Sequence, residues 1–129
     1  MVDLYQDLAT PNPLGPGTSI TFACGPQVAC FGECCRQATV ILKPYDILRL
    51  RRRLGITSGE FLNRYTTKLT EDRSHLPLLC LRLDTTDPPG CPFFRPEQGC
   101  EVYADRPEAC RLFPVTRGSR LVGGEIEDH

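Results

Sequence analysis

At 129 residues with a net charge of −1, the chain has room for one domain and no general charge to draw it to nucleic acid or to a membrane surface. Hydrophobic residues make up 40%, Trp is absent, and 12 Pro and 11 Gly interrupt the chain often, so the core must be small and much of the backbone irregular. A small domain of this kind needs a staple, either disulfides or a metal, and eight cysteines are there to supply one.

Residues 1–19, with Pro11, Pro13 and Pro16, predict a flexible N-terminal arm. Its acidic start has neither the positive charge nor the apolar run of a secretory leader, and no segment reaches the length of a membrane span. The chain therefore reads as cytoplasmic, where clustered cysteines act as metal ligands more often than as disulfides. Ile20–Phe22 alternates and predicts a short strand leading into Cys24. From Cys24 to Cys35 four cysteines fall within twelve residues, and Gly25, Pro26 and Gly32 let that stretch fold tightly and aim N–H groups at sulfur.

Ala38–Leu42 is β-branched and apolar, a buried strand candidate. Pro44 suits a first helical turn, Ile47, Leu50 and Leu54 recur at helical spacing, and Gly55 suits the stop. Arg49, Arg51, Arg52 and Arg53 fall in the last turns of this helix, favoured there by its dipole, and read as a solvated face in preference to a nucleic-acid patch. Thr57 and Glu60 form a capping box for a second helix whose apolar face is Phe61, Leu62 and Tyr65. Leu76–Leu83 reads as a strand or core edge, Asp87–Gly90 and Pro96–Gly99 as turns, and Asp105–Leu112 as a short helix bearing Cys110 and ended by Pro114. The tail from Gly118 is polar. Together these predict a small, loop-rich α+β domain organised around a Cys-ligated metal centre, spanning 20–117 between the arm and a C-terminal tail, 118–129.

Four thiolates suit a tetrahedral zinc or an iron–sulfur cluster. The first block reads C-x5-C-x3-C-C, which is neither a zinc-ribbon pair nor a ferredoxin run, so spacing leaves zinc and iron both open. The adjacent Cys34 and Cys35 diverge by about 100° in a helix and point apart in a strand, so one mononuclear site does not easily take both. Eight thiols are enough for two four-thiolate sites. An anionic centre also needs compensating donors nearby, and Arg36, Arg106 and Arg111 are the candidates in sequence. His75 sits in a polar stretch and reads as solvent-facing, which leaves no Cys–His nucleophilic pair, and no phosphate-binding motif is present.

The ordered string Cys24…Cys30…Cys34-Cys35-Arg36, Cys91-Pro92-Phe93, Gly99-Cys100-Glu101-Val102-Tyr103 and Arg106-Pro107…Cys110-Arg111-Leu112-Phe113-Pro114 resembles the CxxCxxCC family. Pro44, Asp46-Ile47, Leu54-Gly55 and Phe61-Leu62 are similar to the helix pair between that family's cysteine blocks. These are small bacterial and archaeal cysteine-cluster proteins for which zinc or iron chelation is proposed, and longer members continue past the equivalent of Glu127-Asp128-His129. The resemblance implies metal ligation by Cys24, Cys30, Cys34, Cys35, Cys91, Cys100 and Cys110, with the cofactor zinc or iron, an iron–sulfur cluster included. The first block departs from the family's name in having longer spacers. Cys80, within LPLLCLRL, stands open between ligand and small core residue. No catalytic residue is assigned; an unidentified protein partner is compatible with the resemblance. An alternative is a redox or methyltransferase-associated module like that of flagellin lysine N-methylase, and a disulfide-stapled extracellular domain is the third reading.

Overall fold

The computed structural model describes residues 14–115 and 119–128. Among the described residues, four helices and three two-stranded antiparallel sheets make a mixed α+β architecture. In chain order they are α1 (Glu33–Gln37), α2 (Pro44–Leu54), α3 (Ser58–Tyr65), β1 (Thr66–Thr70), β2 (Pro77–Leu81), β3 (Phe94–Arg95), β4 (Gly99–Cys100), a 3-10 turn (Tyr103–Asp105), α4 (Glu108–Leu112), β5 (Ser119–Val122) and β6 (Glu125–Asp128).

The two central helices form where local chemistry predicts. Pro44 opens α2, and Gly55 closes it at φ 67° in the left-handed region, its N–H donating to the Arg51 and Arg52 carbonyls. The Thr57 hydroxyl accepts from the Glu60 N–H at 3.2 Å while the Glu60 carboxylate accepts from the Thr57 N–H at 2.9 Å, completing the capping box of α3. β1 pairs with β2 from Thr66–Leu81 to Thr70–Pro77. The Glu71 carboxylate ties the connecting loop by accepting from the Arg73 N–H and from both the N–H and hydroxyl of Ser74. These bonds hold Glu71 at a pKa of about 2, well below the usual carboxylate range.

Leu50 of α2 and Phe61 of α3 are fully buried, and with Val40, Leu42, Leu81, Phe93 and Val102 they make the core. Tyr65 extends it, stacked between Phe61 at 5.4 Å and Phe93 at 5.1 Å. Cys91, Cys100 and Cys110 pack against the same cluster, so the core and the cysteine region share a wall.

Several expectations change. Ile20–Phe22 forms no strand; Phe22 instead lies edge-on against Phe113 at 5.8 Å, so the segment is held by a side-chain contact and not by a ladder. Ala38–Leu42 is extended but joins β2 only by the Ile41–Cys80 bridge and the bonds Leu42 N–H to Leu79 O and Leu81 N–H to Val40 O. The polar tail contains the β5–β6 hairpin, turned at Gly123 and Gly124, both with positive φ. Of the expected arm, residues 1–13 lie outside the described residues, and 14–19 are exposed and without helix or strand. Among the described residues no helix is long and apolar enough to cross a membrane.

The arginine run of α2 does more than solvate a face. Arg49 donates to the Ala104 carbonyl and pairs with Asp105 at 3.3 Å, while Arg53 donates to the Glu101 carbonyl at 3.3 Å. Both therefore hold the segment between Cys100 and Cys110 against α2.

Candidate metal centre

Three cysteine blocks far apart in sequence meet at one cavity of about 440 Å³. Cys24, Cys34, Cys35, Cys91, Cys100 and Cys110 all line it. The first block reaches it through the turn after Cys24 and through α1. Cys91 is fixed beside α1 because its N–H donates to the Cys35 carbonyl. Cys100 comes from β4 of the small β3–β4 hairpin, and Cys110 from α4.

Gly32 shapes the approach. It caps α1 at φ 78°, and a Cβ there would stand 2.6 Å from Phe94 Cζ. The Phe31 and Phe94 rings pack edge to face at 5.4 Å across this point, joining the first block to the hairpin. Five of the six phenylalanines, all but Phe61, line the cavity and give it an apolar wall.

Cys34 and Cys35 both face this space although they are adjacent. They border one large cavity, which does not bring them to neighbouring corners of a single site. Burial, above all, pushes the Cys35 thiol up, and the neighbouring thiols of Cys34, Cys91 and Cys100 add to it. Burial and the thiols around them likewise raise Cys91 to about 11 and Cys110 to about 12, and Cys24 and Cys100 rise for the same reasons. A group of thiols that resist ionisation because they crowd one another out of water is one that a cation would relieve.

Donors already point at the sulfurs. The backbone N–H groups of Phe93 and Phe94 favour the thiolate of Cys91 and that of Val102 favours the thiolate of Cys100, while the Phe94 N–H also closes a turn onto the Cys91 carbonyl at 3.1 Å. These donors follow Cys91 and Cys100, whereas the sequence placed them in the glycine-containing first block. Arg106 is the one charged side chain among the lining residues, and its charge favours the thiolates of Cys24, Cys100 and Cys110. Its guanidinium sits 3.7 Å from the Tyr103 ring centroid, and its Nε donates to the Tyr103 carbonyl at 2.8 Å. Arg36 and Arg111 do not line the cavity: Arg36 is exposed and pairs with Glu33 at 3.4 Å, and Arg111 is exposed on α4.

Two cysteines stand apart. Cys30 lies outside the lining, half-buried in the turn before α1, close enough to Cys24 to raise its pKa. Cys80 is 2% exposed in β2, opposite Thr67 and bridged to Ile41, and burial alone shifts it. All eight thiols are free. Among the described residues no three His, Cys, Asp or Glu side chains stand in ligating arrangement, so what the fold displays is convergence, not coordination. The donor set nevertheless fits a thiophilic metal: soft ligands, N–H donors to sulfur, a compensating guanidinium and a dry wall.

Sequence reading missed Asp46 and the phenylalanine wall. Asp46 carried a signal as the third residue of a helix opened by Pro44; the rings carried none, because their shared wall comes from segments remote in sequence.

Comparison with curated proteins and with solved structures finds no match. A family model described as "CxxCxxCC: Putative zinc- or iron-chelating domain" matches residues 23–127, a span that takes in every cysteine of the chain. On that match this chain belongs to the CxxCxxCC family.

Proposed function

We propose that this protein is a metal-binding module that takes up zinc or iron through thiolates at the cavity, Cys24, Cys34, Cys35, Cys91, Cys100 and Cys110 being the ligand candidates and Cys30 an adjacent reserve beside Cys24. One observation carries the reading: cysteines from three separate blocks converge on one wall with a single guanidinium among them. When bound, a metal of this kind joins the blocks and neutralises the thiolates, so metal site and fold depend on each other. The chain's own part is to give up thiol protons, offer N–H donors to sulfur and keep water from the apolar side.

A polynuclear centre, such as an iron–sulfur cluster, is the second reading. It is favoured because six thiols line the cavity and one tetrahedral ion uses only four. Either form belongs in a reducing compartment such as a bacterial cytoplasm. We read the chain as a binding module and not an enzyme in itself, since His75 is exposed in the β1–β2 loop and offers the thiols no base.

Elemental analysis and an absorption spectrum of anaerobically purified protein test the proposal. Zinc with no visible absorption supports the first reading; iron with acid-labile sulfide and a brown colour supports the second. Cys34→Ser and Cys110→Ser should each lower metal content and stability together. Full metal and full stability in both variants would overturn the ligand assignment.

A further inference from the structure

Asp46 is buried to 2% exposure, yet its partners lie at the starts of two different helices. Its Oδ2 accepts from the Lys43 N–H at 2.9 Å at the start of its own helix, α2. Its Oδ1 accepts from the Glu108 N–H at 3.0 Å, the first residue of α4 and 62 positions away. The N-cap residue of α4 is Pro107, which has no side-chain acceptor to offer, and α4 carries no cap of its own. One carboxylate therefore caps both helices. Lys43 Nζ reinforces the junction at 2.7 Å from Glu108 Oε2, although both groups are largely exposed and add little. Cys110 lies two residues after Glu108, within the same short helix.

We propose that Asp46 is the positioning residue for Cys110: by capping α4 from α2, it fixes the direction in which that thiol meets the other five. This rests on the metal reading of the cavity. Burying a carboxylate is expensive unless its bonds are made, and here the bonds it makes set the start of the helix that carries a ligand. An α4 without its trans cap can shift or fray, since five residues hold few bonds of their own.

The test is a double-mutant cycle on the full chain, in which Asp46→Ala and Cys110→Ser are made singly and together. Cobalt(II) serves as the probe, followed by its near-ultraviolet thiolate charge-transfer band and by competition with a chelator. Asp46→Ala should weaken cobalt binding about 10- to 100-fold in the parent, as losses behind a ligand do, and diminish the band as Cys110→Ser does. In the Cys110→Ser background the same change should have almost no further effect. Equal weakening in both backgrounds would show that Asp46 supports the fold at large, and no weakening in either would show that it does not act on the centre; both overturn the proposal. Asp46→Asn, which keeps one acceptor oxygen, should fall between the parent and Asp46→Ala, and it covers the case in which Asp46→Ala does not fold. A parent that shows no thiolate–cobalt band refutes the metal reading itself, and this inference with it.

Discussion

A cysteine's burial says little about its role until its neighbours are known, and Cys80 makes the point. It is the most buried of the eight thiols, but its neighbours are Thr67, Ile41 and the β2 strand, not other sulfurs. Sequence left it open because LPLLCLRL is equally a core stretch and a ligand stretch. The geometry separates it from the six at the cavity. Cys80→Ala should therefore leave metal content per chain unchanged and cost about 1 kcal/mol of stability through lost packing. Metal analysis beside urea unfolding would check both, and a loss of metal at unchanged stability would return Cys80 to the ligand set. Arg36 and Arg106 teach the same lesson. Both lie near cysteines in sequence, yet only Arg106 faces the thiols, because Tyr103 holds its guanidinium in place.

Elements whose causes are local were legible: Pro44 with Gly55 bounds α2 and Thr57 with Glu60 starts α3, whereas α4, expected from Asp105, begins only at Glu108, where its cap comes from Asp46. Elements whose partners are distant were not. Ile20–Phe22 alternates like a strand but is held by the Phe22–Phe113 ring contact and not by a ladder, and the polar tail pairs with itself across Gly123 and Gly124. The use of Arg49 and Arg53 to hold the 3-10 turn was hidden for the same reason, since Asp105 and Ala104 are remote from them. Gly32 shows how one element can depend on a distant ring. Two glycines with similar positive φ separate the effects of backbone and space. At Gly55 a Cβ would meet nothing within 4 Å, so Gly55→Ala should cost about 1 kcal/mol, the left-handed penalty alone. At Gly32 a Cβ would press on Phe94, so Gly32→Ala should cost about 2–3 kcal/mol and disturb the cavity as well. Chemical denaturation of the two variants against the parent decides it; equal costs would show that Phe94 yields freely.

For the whole molecule, the thiols convert metal affinity into a pH dependence whose sign can be worked out. Cys91 at about 11 and Cys110 at about 12 stand above the ordinary value of 9.0, chiefly through burial, so at neutral pH both carry protons. Ligation displaces them, so apparent metal affinity should rise about tenfold per pH unit for each thiol ligated, throughout the neutral range. Metal-free stability must run the other way. In the unfolded chain these thiols ionise near their ordinary value, and in the folded chain only near 11 to 12. Between those limits the unfolded state holds fewer protons, so raising the pH favours unfolding. Their contribution is fully present below about pH 9 and is lost as pH climbs toward 12, by at most about 1.4 kcal/mol per pH unit for each thiol. Urea midpoints of reduced, metal-free protein should thus fall above pH 9. Cys91→Ser and Cys110→Ser should flatten the fall, and saturating metal should abolish it, because a ligated thiol has no proton left to lose. A midpoint that rises through this window would mean that the thiols are not buried together, and the shared cavity would lose its physical basis.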